Sequence, residues 1–129
     1  MIQVKLASLF VDDRDKAEDF YTRVIGFVKK NDIPLGEHRW LSVVTPDAPD
    51  GTELLLEPNA HAAAKAYQQT IFNDGIPATT FFVDDIQAEY DRLKSLGVNF
   101  NSEPTAAGPV TIAAFDDTCG NLIQLTQMG

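Results

Sequence analysis

The chain repeats itself. Phe10-Val11-Asp12-Asp13 returns as Phe82-Val83-Asp84-Asp85, 72 residues later. Each copy closes an apolar, strand-like run and opens a helix-like one. The first helix pattern carries Ala17, Phe20, Tyr21, Val24 and Ile25 at i, i+3, i+4, i+7 and i+8. The second carries Ile86, Tyr90 and Leu93, with Leu96 beside them. Asp12 or Asp13, and Asp84 or Asp85, stand where a short carboxylate can accept from the unpaired amides of a first turn. Gln87 follows Asp84 by three positions, the spacing of a capping box. Gly26 and Gly97 stand where a helix C-terminus needs a left-handed residue.

The remainder of each half also matches. Strand-like runs follow the first helix at about 26–32, 38–45 and 52–58, and the second at about 98–102, 109–115 and 121–127. Turn residues separate them: Asn31-Asp32 with Pro34, Pro46 through Gly51, Pro104, and Asp116 through Gly120. Each half therefore reads strand, helix, strand, strand, strand. Residues 59–75 read as a connecting helix, with Asn59 as cap, Ala63, Tyr67, Thr70 and Ile71 on one face, and Asn73-Asp74-Gly75 as its end. The expectation is one domain over residues 1–129: module one to about 58, the helix, and module two from about 76. Halves of about 60 residues are marginal alone, so they are expected to share an interface.

Composition narrows the function classes. With 44% hydrophobic and 22% charged residues, the 129-residue chain can build a core and is not a disordered one. Nineteen acidic against ten basic residues give a net charge of -9. Nucleic acid and anionic membrane surfaces are poor partners for such a molecule; solubility or a cationic ligand suits it. No apolar run approaches the roughly 20 residues of a membrane span. Met1 to Asp13 lacks the basic-then-apolar order of a secretory leader, so the cytosol is the expected location. The single cysteine, Cys119, excludes an internal disulfide and a Cys-based zinc finger. A Gly-rich phosphate loop, a zincin helix and a dinucleotide fingerprint are all absent.

The element order resembles the vicinal oxygen chelate superfamily, whose members include glyoxalase I, extradiol dioxygenases, fosfomycin resistance enzymes and bleomycin resistance proteins. The pieces that carry the resemblance are Phe20-Tyr21 through Gly26-Phe27, and Phe115-Asp116-Asp117-Thr118-Cys119-Gly120-Asn121. It covers roughly residues 3 to 127. It implies an α+β fold of two tandem βαβββ modules whose curled mixed sheets surround a cleft, commonly in a homodimer. It does not fix a chemistry.

Metal-dependent relatives take two ligands from each module, one on the first strand, five residues before its closing valine, and one on the last strand. Val11 and Val83 point back to Leu6 and Ala78; the last-strand slots fall at Glu57 and Gln124. Two aliphatic side chains, one carboxylate and one amide make a poor set for zinc, nickel or iron. No cofactor is expected; a divalent metal on Glu57 and Gln124, helped by a histidine, is the weaker alternative. Strand parity then places Leu6, Ser8, Phe10, Leu55 and Glu57 on the cleft side of module one, with Glu53 in the same phase. In module two it places Ala78, Thr80, Phe82, Leu122, Gln124 and Thr126 there. This is a mostly apolar lining with a few polar anchors, as small-molecule sites have.

Single residues sharpen the choice. Glu57 ends the apolar run Leu54-Leu55-Leu56, where a buried acid costs several kcal/mol unless paired, protonated or solvated. It reads as a general base or cation anchor, or as a solvated strand-end acid before Pro58. Of the adjacent pair Arg39 and Trp40, one should face the cleft: Arg39 to bind an anion, or Trp40 to stack on a planar ligand. His38 and His61 read as surface residues, and Cys119, beside acids, as structural. Two functions fit. One is a binding module of the bleomycin-resistance kind, holding a small organic molecule on Ser8, Phe10, Arg39, Trp40, Leu55, Thr80, Phe82, Leu122 and Gln124. The other is an isomerase, lyase or ring-opening enzyme on a small oxygenated substrate, with Glu57 as base.

Overall fold

A computed structural model describes residues 1–129. The chain forms two compact units, Met1–Ala64 and Lys65–Gly129. The division falls inside the connecting helix. No helix is long and apolar enough to cross a membrane.

The first unit runs β1 (Leu6–Val11), α1 (Arg14–Asp19), β2 (Val28–Leu35), β3 (His38–Val44) and β4 (Glu53–Pro58). Its four strands lie in the order β1-β4-β3-β2. β1 is parallel to β4, with Leu6 beside Glu53, Ser8 beside Leu55 and Phe10 beside Glu57. β4–β3 and β3–β2 are antiparallel. The alternation follows the pleat: Leu9, Val11, Leu41, Val43 and Leu56 are buried with Ala17, Phe20, Tyr21 and Val24 from the helical segment. Each large side chain buried there contributes about 1.5–3 kcal/mol relative to exposure.

Asp13, not Asp12, caps α1, accepting from the amides of Asp15 at 3.0 Å and Lys16 at 3.1 Å. The helix then widens into a π-helical turn over Phe20–Val24, closed by Ile25 N–H donating to the Phe20 carbonyl at 3.0 Å. The extra residue shifts the helical phase. Phe20, Tyr21 and Val24 are buried while Ile25, in phase by a 3.6 repeat, is only half-buried.

The second unit repeats the plan: β5 (Thr79–Phe82), α3 (Ile86–Ser95), β6 (Thr105–Ala107), β7 (Val110–Asp116) and β8 (Leu122–Met128), in the order β5-β8-β7-β6. β5 runs parallel to β8, with Thr80 beside Gln124 and Phe82 beside Thr126. Ile86, Tyr90 and Leu93 of α3 are buried, as are Ala113, Phe115, Ile123 and Leu125 of the sheet. The α+β fold of two βαβββ modules expected from the repeat is thus present as two four-stranded mixed sheets with three helices.

Four local expectations are corrected. Residues 98–102 form no strand; Phe100 makes a single bridge to Phe115. Its ring is held 4.6 Å from Tyr90 and 5.5 Å from Phe115, and Pro104 ends further pairing before the short β6. Asp85 caps α3 by accepting from Ala88 N–H at 3.1 Å. The third position after this cap is Ala88, so no capping box forms, and Gln87 donates to Asp91 at 3.1 Å instead. Helix α2 (Ala62–Asn73) begins three residues after Asn59; His61 Nδ1 accepts from Ala63 N–H at 3.0 Å and closes its first turn. Its one fully buried residue is Gln68, whereas Tyr67 is 59% exposed.

Gln68 ties α2 to the turn before β8. Its amide donates to the Cys119 carbonyl at 3.3 Å and to Asn121 Oδ1 at 3.1 Å. Asp117 organises that turn, with Oδ1 accepting from the amides of Cys119 at 2.7 Å and Asn121 at 3.0 Å, and Oδ2 from Asn121 Nδ2 at 2.8 Å. Cys119 is completely buried. Gly120 has φ +101°, and a Cβ there would sit 2.8 Å from Gln68 Nε2. Gly120→Ala is therefore expected to cost about 1–3 kcal/mol in urea denaturation, from backbone strain and displacement of Gln68 together. Gly36→Ala, with φ +64° but open space around it, should cost less. Equal losses would show that the Gln68 contact contributes nothing.

Candidate functional site

Two faces of the first sheet have opposite chemistry. Arg39 lies on the face covered by α1. Its Nη1 donates to Asp15 at 2.7 Å and its Nη2 to Glu18 at 3.0 Å, both on the helix. Nε and Nη2 also clamp Asp32 of β2 at 2.7 and 2.9 Å. Hydrogen bonding to Arg39 is the main cause that holds the Asp32 carboxyl down to about 2, and Asp32 in turn raises Arg39 further above its ordinary value. The guanidinium fork is committed to joining helix and sheet.

Trp40, one residue on, points to the other face. Its indole Nε1–H donates to Glu53 Oε1 at 3.0 Å. The same oxygen accepts from Asn31 Nδ2 at 2.9 Å and from the Ser42 hydroxyl. The register explains the convergence: Asn31 pairs with Ser42, and Ser42 with Leu55, which shares its side of β4 with Glu53. Three donors on one oxygen favour the charged form. Ser42 is the leading cause of a lowered Glu53 carboxyl, Asn31, Trp40 and the positive charge of Lys30 add to it, and partial burial opposes it. Glu53 is a fixed anion near neutral pH. Parity had placed it on this side; its donors come from two strands distant in sequence.

Ser8, Phe10, Leu55 and Glu57 share this face with Trp40 and Glu53. Leu6 and Ile33, also on it, are 42% and 46% exposed. Glu57 is half-buried beside Phe10, and its carboxylate has no hydrogen bond or ion pair within the chain. Its side chain thus stays available to an incoming group.

In the second unit, Ile86 N–H donates to Gln127 Oε1 at 2.8 Å, which turns the odd-numbered residues of β8 toward α3. Leu122, Gln124 and Thr126 therefore lie on the opposite face, level with Thr80 and Phe82 of β5. Thr80 and Thr126 hydroxyls are 2.8 Å apart, and Gln124 Nε2 donates to Thr126 Oγ1 at 3.2 Å. Phe82 is 65% exposed. His38 and His61 are both exposed.

The residues at the four slots are a poor donor set for a transition metal. Leu6 and Ala78 carry no donor atom. Because Phe10 pairs with Glu57 and Phe82 with Thr126, the repeat makes Thr126, rather than Gln124, the counterpart of Glu57. Either choice supplies a neutral oxygen, against the charged and imidazole ligands transition metals favour. No group of three or more His, Cys, Asp or Glu side chains is placed so that it could hold a metal ion.

Residues 3–125 match the family described as the Glyoxalase/Bleomycin resistance protein/Dioxygenase superfamily. The chain belongs to this superfamily. Among its relatives, the uncharacterized protein YurT of Bacillus subtilis (strain 168) is 60% identical over 126 residues, which are 98% of this chain and 99% of that one. The crystal structure of UcmS2 superposes with a TM-score of 0.85 at 30% identity, covering 98% of both chains. That of TnmS3, an antibiotic binding protein from Streptomyces sp. CB03234, gives 0.80 at 29% identity, covering 100% of this chain and 98% of that one.

The Glu53 geometry sets a pH test. Its carboxyl is lowered from an ordinary 4.5 in the folded chain, so the unfolded chain takes up the proton first as pH falls. The stabilisation is present above that ordinary value and is lost as pH falls through the lower folded one. Glu53→Gln mimics the protonated acid. In urea denaturation from pH 6 to pH 3, the wild type should be the more stable at pH 6, and its advantage over Glu53→Gln should shrink below about pH 4.5. Parallel curves across the range would refute the fixed-anion assignment.

Proposed function

We propose that this chain is a binding module of the bleomycin-resistance kind. It holds a small organic molecule against the sheet face turned away from α1, without a conventional metal centre. The observation that carries this reading is the first-unit face: Leu6, Phe10, Ile33, Leu55 and Trp40 surround the carboxylates of Glu53 and Glu57. Apolar area with sparse polar anchors is the pattern of a ligand site. A relative described as antibiotic binding, at 29% identity over nearly the full length, supports the same class of ligand. Thr80, Phe82, Leu122 and Gln124 give the second unit's sheet a ligand-binding face of its own, and the protein acts in the cytosol as a two-fold homodimer.

Trp40 is the chain's only tryptophan, so binding there has an intrinsic reporter. A thermal-shift screen of small organic compounds should yield ligands that also quench or shift Trp40 fluorescence. Glu57→Gln should weaken such ligands by at least about tenfold, or roughly 1.4 kcal/mol, while leaving the fold intact. Stabilising compounds that leave Trp40 unperturbed would place binding elsewhere.

The unpartnered, half-buried carboxylate of Glu57 favours a second reading, an isomerase, lyase or ring-opening enzyme in which it takes a proton from a small oxygenated substrate. Turnover of a screen hit, abolished by Glu57→Gln, would select that reading over simple binding. The assembly is checked separately: light scattering at micromolar concentration should give twice the 14.2 kDa of one chain, and a monomer mass would remove the dimer from the proposal.

A further inference from the structure

We infer that Glu53 is the charge-reading anchor of the ligand site, and that the ligand is an organic cation with a flat apolar body. The inference rests on the small-molecule reading above and adds the ligand's class. All three donors that hold Glu53, from Asn31, Trp40 and Ser42, meet on Oε1. Oε2 has no partner within the chain, and no buried side-chain oxygen or nitrogen lacks one, so Oε2 is open to solvent. A carboxylate immobilised through one oxygen presents the other in a fixed direction, with little ordering entropy left to lose on binding.

The surroundings select what Oε2 accepts from. Leu6 lies beside Glu53 in the parallel register, and Ile33 lies beside Trp40. Both are partly uncovered apolar side chains, at 42% and 46% exposure. The indole, itself donating to Glu53, offers a π face to a planar or cationic group. Glu57 adds a second unneutralised carboxylate to the same face. An anionic ligand would meet two like charges there. An ammonium donates to Oε2 in a charge-assisted hydrogen bond while its ring covers Leu6, Ile33 and Trp40. Were Glu53 only the acceptor for its three internal donors, removing its charge would leave the ligand-charge preference unchanged.

Three probes of one shape test this: 2-naphthylmethylammonium, 2-naphthylmethanol and 2-naphthoate, titrated into 15N-labelled protein. The Trp40 indole N–H gives a single resolvable cross-peak and reports on Glu53 directly. The ammonium should bind at least about tenfold more tightly than the carboxylate, with the alcohol between them, and should move that cross-peak furthest. Glu53→Gln should bring the three to within about threefold of one another, while Asp74→Asn, a charge change in the other unit, should leave the order unchanged. Binding of all three at similar affinity, with the indole peak moving, would overturn the anchor and leave the small-molecule reading standing. A preference for the ammonium that survives in Glu53→Gln would do the same. No binding by any probe would overturn both. If Glu53→Gln does not fold, the wild-type order and the indole shifts decide the question alone.

Discussion

Parallel pairing of the first and last strands in each unit is the constraint on which the rest depends. A βαβββ chain returns its fourth strand beside its first, and the side-chain period of two then assigns every residue to a face. With Leu6 beside Glu53 and Phe10 beside Glu57, the helix-side row of β1 and β4 holds Leu9, Val11 and Leu56, all buried. A slip of one residue would put Glu53 and Glu57 into that core and expose its leucines. Desolvating two carboxylates there would cost several kcal/mol, so the register is strongly specified. β5 and β8 obey the same rule, which is why Ile123 and Leu125 are buried on the α3 side while Gln124 is turned away.

The acids of the first unit show how one residue type serves two ends. Asp15, Glu18 and Asp32 converge on Arg39, and the planar guanidinium meets them with several donors at once. There every carboxylate is paired with a cation, Lys29 adding contacts to Asp32 at 3.4 Å and Glu18 at 3.6 Å, and the cluster fastens α1 to the sheet. Across the same sheet, Glu53 is held by neutral donors only, so its charge is stabilised without being cancelled. Lys30, whose ammonium donates to the Pro49 carbonyl at 2.6 Å, acts on it only through its field. A charge kept but not neutralised is a resource for binding; a neutralised one is a fastener.

The superfamily fold accommodates many chemistries because the strand slots are independent of the framework. Here leucine and alanine occupy the two first-strand slots, yet the sheets and the Asp117-centred turn remain complete. The apolar, acid-bearing face of the first unit forms without metal donors in these slots, so the framework tolerates their absence. The fold survives it because most of the core lies on the helix side of each sheet.

The repeat, the strand parity and the turn residues are local signals, and the sequence alone determined what they govern: two βαβββ units, the glycine-ended helices, and which of Ser8, Phe10, Leu55, Glu57, Thr80 and Gln124 share a side of their strands. Parity could say that Arg39 and Trp40 part company but not which way, because nothing in a strand's sequence marks the side its helix covers. Residues 98–102 read as a strand because Val98 and Phe100 alternate with polar neighbours. Only the packed structure shows that Phe100 is needed between Tyr90 and Phe115, with a single bridge to β7. Glu53 was visible merely as an acid in phase with Glu57. Its three donors come from β2 and β3, up to 22 residues away, and meet on one oxygen only when the sheet forms. Tertiary structure decided that convergence, because a hydrogen-bond network is fixed by distance and direction in space, and sequence spacing encodes those only within a single helix or strand.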